Sequence, residues 1–482
     1  MTAGFTTLSA AIAMLAGCDT SLNTPLPPYG GSDAAPYDAS VVVDAAAAAD
    51  AADAAAPVDA ASLAACTVHV QPTANDQATV AAALTAAVAG SVVCFDDGLY
   101  AFTDQLSVST RNLTLRGTSS NAVLDFRTEN PAALAGVFAT ASGFTIENLA
   151  IENTAGDAVR VEGPVTGITF RGLRITWDVT TIPPDAGSPA KPDGGAEAGA
   201  DAAAPPKPEA GSDAGVMFRP RYGIYPITCD QVLIEDNDVS GATDSGIYVG
   251  QSTHVIVRRN NAHGNPGGIE VENSTNVEVY ANRAFDNAGG ILVFNTPDLP
   301  IENGKLTNVH DNIVDGNNHT NFGLGFVAGL PVGLGILIAS ASQTEVHDNT
   351  ITNNNSTGTL IVGCYIFNGF MECSSAVPFN PWPQTNWIHD NIYRANGVSP
   401  DPQFAVLVTP GSPVQDILWD GDVDPAHPAD PTLRQCITNN KDVGTGGAAT
   451  FLDFNVRGGF SPLSTDLTPF QCTYPAQSPV TF

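Results

Sequence analysis

Side chains able to do acid–base or ring-stacking chemistry recur at related positions along the sequence. Tyr225, Tyr248 and Glu270 each follow directly after an isoleucine, and Glu272 lies two residues beyond Glu270. Paired carboxylates can exchange protons or bind Ca²⁺, and tyrosine rings can stack on the faces of sugars. We therefore predict Glu270 and Glu272 as the catalytic pair if the chain is an enzyme. The predicted ligand-binding side chains are Tyr225, Asp244, Tyr248, Gln251 and Asn273.

The competing interpretation of these residues is a solvated sheet face that carries sheet-typical tyrosines and scattered charge. An active site requires the carboxylates to converge in a cleft where their pKa values are raised. A binding module requires instead a flatter strip of aromatic and polar side chains. The sequence predicts no cofactor, and Ca²⁺ is the one ion that the paired carboxylates suggest.

A second group of residues combines imidazole with carboxylate. Three His-Asp dipeptides each precede an asparagine, at His310-Asp311, His347-Asp348 and His389-Asp390. Imidazole and carboxylate together suit a transition metal. Stacked coils about 4.8 Å apart would, however, set these side chains in a row, whereas a metal needs convergent ligands. We therefore predict a polar edge here and no metal site.

All of these residues belong to an internal repeat. Gly–Ile steps occur with spacings of 23, 22 and 22 residues, at Gly223, Gly246, Gly268 and Gly290. Short runs of alternating β-branched residues follow the steps. A period of about 22 residues with two or three short strands is typical of one turn of a parallel β-helix. The isoleucines are then predicted to point into the core, and the residues that follow them to point outward.

Asparagines mark the turns of this repeat. One asparagine lies 13 residues after an isoleucine at Asn237, Asn260, Asn282 and Asn349. A second series lies five residues after the first, at Asn265, Asn287, Asn317, Asn354 and Asn396. An amide at a turn can bond the turn backbone and the same amide in the next coil. We therefore predict asparagine ladders with a structural role.

The repeats can be compared with a known family. Residues 222–300 contain YGIYPITCDQVLIEDNDVSG, DSGIYVGQSTHVIVRRNNA, GGIEVENSTNVEVYANRAFDN and GGILVFNTPDLP. They resemble the right-handed parallel β-helix repeats of the pectin-lyase-like superfamily, in particular exported "parallel β-helix domain-containing" proteins whose biochemical function is not established. The resemblance implies an all-β fold, a single-stranded right-handed parallel β-helix over 66–397. Helical spacing over 75–88 predicts an N-terminal capping helix.

Catalytic motifs of enzymes in that superfamily are not matched. Uronan epimerases carry an acid and a histidine where this chain has Tyr225 and Ile227, and the Gly-His-Gly element of polygalacturonases does not occur. The leading hypothesis is therefore a non-catalytic binding or scaffold module for carbohydrate or an exported protein partner. The alternative is a polysaccharide-processing lyase or glycoside hydrolase that uses the outward face of the β-helix.

Composition and the first residues limit partners and location. The formal net charge of −32 argues against nucleic acid and anionic lipid as ligands. Residues 1–18 end in Leu15-Ala16-Gly17-Cys18, which resembles a bacterial lipobox and implies a lipoprotein signal peptide with lipid on Cys18. We expect an exported, monomeric protein of the cell envelope, held at the membrane by that anchor alone.

The remaining segments differ in composition from the repeat. Residues 19–65 are rich in Ala, Asp and Pro and are predicted to be a disordered linker. A similar stretch at about 178–220 is predicted to be a disordered insertion within the β-helix domain. Beyond 397 the repeat fades into proline-rich sequence, so 398–482 is predicted to be an irregular C-terminal cap.

Cysteine usage is consistent with export, because disulfides persist in oxidising compartments. The candidate local pairs are Cys66 with Cys94, Cys364 with Cys373, and Cys436 with Cys472. Spacing does not determine the connectivity. Cys229 is then left over and is expected to be a buried small hydrophobic residue.

Overall fold

The computed structural model describes residues 65–177, 221–367, 373, 378–407 and 413–482. The chain divides into two units, Met1–Ala65 and Cys66–Phe482. The predicted signal peptide, the lipidated Cys18, the linker and the insertion at about 178–220 lie outside the described residues, apart from Ala65.

Strands form two long sheets in the described part of the chain, one of 21 strands and one of 12. Pairing is parallel along both sheets and joins each strand to its counterpart in the next coil, while β31 and β32 pair antiparallel. The smaller sheet contains β3, β6, β9, β11, β13, β16, β19, β22, β25, β28, β31 and β32. In chain order the strands are β1 Val68–Val70, β2 Val92–Phe95, β3 Gly98–Ala101, β4 Leu106–Val108, β5 Thr114–Gly117, β6 Ala122–Asp125, β7 Ala135–Ala139, β8 Thr145–Glu147, β9 Ala150–Glu152, β10 Asp157–Arg171, β11 Arg174–Thr176, β12 Ile224–Glu235, β13 Asp238–Ser240, β14 Ser245–Gly250, β15 Thr253–Arg258, β16 Asn261–His263, β17 Gly267–Glu272, β18 Thr275–Tyr280, β19 Arg283–Phe285, β20 Gly289–Phe294, β21 Lys305–His310, β22 Ile313–Asp315, β23 Leu334–Ala339, β24 Ser342–His347, β25 Thr350–Thr352, β26 Thr357–Val362, β27 Trp387–His389, β28 Ile392–Arg394, β29 Ile417–Trp419, β30 Cys436–Thr438, β31 Lys441–Asp442, β32 Gly447–Ala448 and β33 Phe451–Asp453.

The core of the solenoid is built from the predicted isoleucine column. Ile247 of β14 pairs with Ile269 of β17, and Ile269 pairs with Ile291 of β20. All three side chains are fully buried. Because identical β-branched side chains stack from coil to coil, each coil covers the apolar surface of the next. The predicted parallel β-helix is confirmed.

Asparagine ladders run along the turns of the solenoid. In the first ladder each Nδ2 donates to the Oδ1 of the next asparagine at 2.9 to 3.0 Å, through Asn237, Asn260, Asn282, Asn312, Asn349, Asn391 and Asn440. In the second ladder the same bond measures 2.9 to 3.1 Å, through Asn265, Asn287, Asn317, Asn354 and Asn396. These bonds pair buried amides that would otherwise be left without partners.

The N-terminal end of the solenoid is covered by the predicted helix. Helix α1 spans Asp76–Ala86, and the side chain of Asn75 caps it by accepting from the backbone N–H of Ala78 at 3.2 Å. Val80 and Leu84 are buried against the first coil. Short 3₁₀ helices lie at Gly325–Gly329, Cys364–Phe367, Pro402–Val406, Val456–Gly458 and Thr468–Phe470. No helix among the described residues is long and apolar enough to span a membrane.

The solenoid continues beyond the boundary predicted at residue 397. Strand β29 pairs in parallel with β26, β30 pairs with β27, and β33 pairs with β29. The region 398–482 is therefore not only an irregular cap. Long proline-rich connections separate these strands, so the 22-residue period is lost from the sequence although the stacking register is kept.

Disulfides and loops fasten the outside of the solenoid. Disulfides join Cys66 to Cys94, Cys364 to Cys373, and Cys436 to Cys472, and Cys229 is free and buried. A second apolar cluster lies outside the coils, where outward-facing Leu292, Phe294 and Leu337 pack with Val327 and Leu330 of a long connection. That connection lies beside the predicted site.

Candidate functional site

Three tyrosine rings meet on the outward face of the solenoid. Ring centroids lie 4.6 Å apart between Tyr222 and Tyr225, 4.6 Å apart between Tyr222 and Tyr248, and 4.8 Å apart between Tyr225 and Tyr248. Strands β12 and β14 place Tyr225 and Tyr248 there, because the residue after each inward isoleucine points outward, and Tyr222 comes from the segment before β12. Tyr222 and Tyr248 are buried, whereas Tyr225 is partly exposed. We call these rings the tyrosine triad.

Carboxyl groups surround the tyrosine triad. Glu272 accepts hydrogen bonds from the hydroxyl of Tyr248 and, at 2.5 Å, from Oγ1 of Thr296. Glu270 is 1% exposed, and its buried Oε1 has no hydrogen-bond partner. Asp244, directly before β14, is 4% exposed. Buried polar atoms are normally paired, so an unpaired carboxyl oxygen at this position requires an explanation.

Two arginines border the same group, and two of their three contacts with its acids are long. Arg160 approaches Glu162 at 3.0 Å and Asp157 at 3.4 Å, and Arg221 approaches Asp244 at 3.5 Å. The guanidinium carbon of Arg160 lies 4.8 Å from the ring centroid of Tyr225, within the range of cation–π attraction. We call the whole assembly the tyrosine–carboxyl cluster: Asp157, Arg160, Glu162, Arg221, Tyr222, Tyr225, Asp244, Tyr248, Glu270 and Glu272.

Burial dominates the ionisation of the cluster. It raises the pKa of Asp157 to about 6 and the pKa of Asp244 to about 7, against the partial compensation of nearby Arg160 and Arg221. Burial and the neighbouring charge of Asp244 raise the pKa of Glu270 well above its usual value, and burial raises the pKa of Glu272. Near neutral pH the cluster therefore holds carboxyl protons, as acid–base catalysis requires.

The predicted residues divide into two groups. Tyr225, Asp244, Tyr248, Glu270 and Glu272 come together in the cluster. The expected solvated face is absent at Glu270 and Tyr248, because side chains that point away from the coil core are covered by connections and neighbours. The burial of Tyr248 and Glu270, which both point outward, results from tertiary packing. The alternation of residues along a strand does not predict it.

Gln251 and Asn273, in contrast, hold a loop. Nδ2 of Asn273 donates to the carbonyl oxygens of Thr296 and Ile301 at 2.9 and 3.0 Å. Oε1 of Gln251 accepts from the backbone N–H of Ile301 at 3.4 Å. The side-chain amides of both residues thus bond the connection between β20 and β21. These contacts give no support for their predicted ligand-binding role.

Five members of the cluster were not predicted as site residues: Asp157, Arg160, Glu162, Arg221 and Tyr222. Asp157 is the first residue of β10, and Arg160 and Glu162 follow it on the same strand. Arg221 and Tyr222 come shortly before β12, which begins at Ile224. A signal for them exists, since Asp157 and Asp244 both stand at the start of a coil strand and Tyr222 opens the Tyr-Gly-Ile-Tyr step. Their convergence on one point depends on coil stacking across a long stretch of sequence.

The three His-Asp dipeptides form the predicted row. Adjacent imidazole centroids lie 4.9 Å apart between His310 and His347 and 5.1 Å apart between His347 and His389, with nearly parallel rings. In each coil Nδ1 pairs with the following aspartate at 2.7 to 2.8 Å. No group of three or more His, Cys, Asp or Glu among the described residues is arranged to hold a metal ion.

The stacked rings of His310, His347 and His389, which we call the imidazole row, lead to a prediction about the pH dependence of stability. Burial disfavours the charged form of His310, but hydrogen bonds to Asp311 and Glu278 outweigh it and raise the pKa to about 9. This stabilisation is complete below the ordinary imidazole pKa and is lost as pH rises through 9. We expect wild-type protein to lose about 2 kcal/mol more unfolding free energy than His310→Gln between neutral and strongly alkaline pH, measured by urea denaturation.

His319→Gln is the matched control, because that ring lies outside the imidazole row and is 38% exposed. It should keep the pH dependence of the wild type. Equal alkaline losses in wild type and His310→Gln would show that the protonated ring of His310 contributes no stability.

Comparison with known proteins supports the fold. Residues 215–376 match the family model described as "Right handed beta helix region", so the solenoid is a right-handed parallel β-helix. None of the curated proteins matches the sequence.

Solved structures also resemble the chain. One is the A-module of mannuronan C-5 epimerase from Azotobacter vinelandii, with 12% identity over 77% of this chain and 90% of that chain and a TM-score of 0.44. Another is DFA-IIIase from Arthrobacter chlorophenolicus A6, with 12% identity over 79% and 80% and a TM-score of 0.45. A third is alginate lyase from Paenibacillus sp. str. FPU-7, with 12% identity over 68% and 95% and a TM-score of 0.32. At this identity the likeness concerns the fold alone.

Proposed function

We propose that the tyrosine–carboxyl cluster binds carbohydrate. The observation that carries the proposal is the partly exposed ring of Tyr225, supported from behind by the buried rings of Tyr222 and Tyr248. Tyr222, Tyr248 and Arg160 fix this ring in place, so its exposed part offers an apolar contact at little cost in side-chain entropy. Carboxyl and guanidinium groups beside it can bond hydroxyl groups, the arrangement of apolar wall and few polar contacts that is typical of ligand sites.

The proposal predicts a large effect of one substitution. Tyr225→Ala should weaken glycan binding about tenfold or more, because the exposed apolar contact of the ring is lost and Arg160 loses the aromatic neighbour beside it. The measurement is isothermal titration of the full chain with those oligosaccharides that bind in a panel of neutral, acidic and amino glycans, with and without Ca²⁺.

Tyr365→Ala is the matched control, since Tyr365 is an exposed tyrosine, 40% accessible, that is not a member of the cluster. It should bind as the wild type does. Glycan binding that survives Tyr225→Ala unchanged, or no binding across the panel, contradicts the proposal and leaves an exported protein partner as the ligand to be sought.

Catalysis on a polysaccharide is the second candidate function. The raised pKa values of Asp244, Glu270 and Glu272 favour it, because a carboxyl group that holds its proton near neutral pH can act as a general acid. Products and unsaturated chain ends are to be assayed in the same titration samples. Turnover that disappears in Glu270→Gln or Glu272→Gln would establish an enzyme, and binding without turnover would establish a binding module.

We also propose that the protein is exported to the cell envelope. Three disulfides support this location, since such bonds persist in oxidising compartments and are rare in the cytosol. Cell fractionation followed by mass spectrometry of the Cys18 peptide tests the location and the lipid together.

A further inference from the structure

The tyrosine–carboxyl cluster contains more acids than cations. Its carboxyl groups are those of Asp157, Glu162, Asp244, Glu270 and Glu272, and its cations are Arg160 and Arg221. Arg160 pairs with Glu162 and Asp157, and the one acid within ion-pair distance of Arg221 among the described residues is Asp244, at 3.5 Å. Glu270 and Glu272 form no ion pair within the described residues. When all five carboxyl groups are ionised, the excess negative charge therefore lies at these two glutamates, and burial raises the pKa of both.

The positions of Glu270 and Glu272, the two glutamates without an ion pair among the described residues, point to a missing cationic partner. Glu270 is 1% exposed, and its Oε1 has no hydrogen-bond partner. Glu272 accepts hydrogen bonds from the hydroxyl groups of Tyr248 and Thr296 and is partly exposed. Like the rings of Tyr225 and Tyr248, it lies on the outward face of the solenoid. Ionising a buried carboxyl group without a cationic partner is costly, so these groups keep protons, and a bound cation would stabilise their ionised form.

We propose that the ligand of this cluster carries a positive charge and is a glycan with amino sugars whose ammonium groups are free. The inference rests on the proposed carbohydrate-binding function and names the substrate class. An ammonium group beside Glu272 gains a charge-assisted hydrogen bond and lies beside tyrosine faces that attract cations. A uronate would instead add a further carboxylate to five, and an N-acetylated sugar would bring no charge.

Cation binding at this cluster is coupled to proton release. Asp244 faces Arg221, Tyr222, Glu270 and Glu272, and Glu270 faces Asp244, Ser245, Glu272 and Arg221. Because an incoming ammonium group favours the ionised carboxylates, the affinity for it should rise as pH rises through the pKa of Asp244, which is about 7. Binding of a neutral sugar should not show this rise.

The test is titration of the full chain with the β-1,4-linked tetramer of glucosamine. The comparison ligands are its N-acetylated form, a neutral glucose tetramer and a galacturonic acid tetramer. We expect the glucosamine tetramer to bind about tenfold or more tightly than the others. Its affinity should increase about fivefold between about pH 5 and about pH 6, where the amino groups of the ligand stay protonated while the ionised fraction of Asp244 grows. Repeating the titration in buffers of different ionisation enthalpy should reveal proton release by the wild-type protein.

Glu272→Gln should lose about tenfold in affinity for the glucosamine tetramer, whereas Asp286→Asn, at a side chain that is 63% exposed and outside the cluster, should not. The proton count on wild-type protein keeps the test decisive if Glu272→Gln fails to fold. Equal or tighter binding of the N-acetylated, neutral or acidic tetramer overturns the charge assignment and leaves carbohydrate binding standing. Binding of a lysine tetrapeptide as tightly as the glucosamine tetramer overturns the assignment to a glycan. No binding by any glycan overturns both proposals.

Discussion

Asn282→Ala is expected to lower the free energy of unfolding by about 3 to 5 kcal/mol. Oδ1 of Asn282 accepts from both the backbone N–H and Nδ2 of Asn260, and its own Nδ2 donates to the carbonyl of Val257 and to Asn312. Alanine leaves the buried backbone N–H of Asn260 without this acceptor and removes one of the two bonds made by Nδ2 of Asn260 and one of the two accepted by Oδ1 of Asn312. Each buried group that is left unsatisfied costs about 1 to 3 kcal/mol. The measurement is the urea-denaturation midpoint of the variant against the wild type.

Asn261→Ala is the neighbouring control. The side chain of Asn261 is exposed and makes one long hydrogen bond of 3.3 Å with Asp238. Its replacement should change the free energy of unfolding by less than about 0.5 kcal/mol. If the two variants were equally stable, water would be replacing the ladder amide without cost, and the first ladder would not stabilise the solenoid.

Asp244→Asn is expected to stabilise the protein at alkaline pH. Burial raises the pKa of the carboxyl from 3.8 to about 7 in the folded chain, so the bound proton contributes stability at low pH that is lost as pH rises through 7. Asparagine keeps the shape and carries no charge at any pH. The variant should therefore exceed the wild type by about 2 to 4 kcal/mol near pH 8 and equal it near pH 4, measured as thermal melting across the pH range.

Asp286→Asn is again the control, because this side chain is 63% exposed and lies outside the cluster. Its melting temperature should follow that of the wild type at every pH. An Asp244→Asn variant that is less stable than the wild type at every pH would show that Arg221 keeps this carboxylate ionised and paired in the folded protein.

The repeat made the solenoid predictable from the sequence. Stacking demands the same inward residue in each coil, and it therefore leaves the isoleucine column and the asparagine series visible as a fixed spacing. The capping helix was visible for the same local reason, since Asn75 and the spacing of Val80 and Leu84 mark a helix start and a buried face. The predicted end of the β-helix at residue 397 was based on the loss of the constant 22-residue spacing. Strands β29 and β30 nevertheless keep their register with the preceding coils, because the connections between them vary in length.

The candidate site was predictable only in part. Tyr248 and Glu270 were found because they occupy one repeating outward position. Asp157 and Arg221 do not, and they join the cluster through stacking of β10 against β12 across the intervening sequence.

The order of residues thus specifies which side chains point inward and which point outward, because alternation along a strand and the coil period are local properties of the chain. It does not specify how deeply an outward side chain is buried. Burial of Glu270 and Asp244 depends on packing between separate coils and on the connections between strands. The paths of those connections cannot be read from the repeat. The raised pKa values of these acids follow from that burial, so the chemistry of the cluster is a property of the folded solenoid.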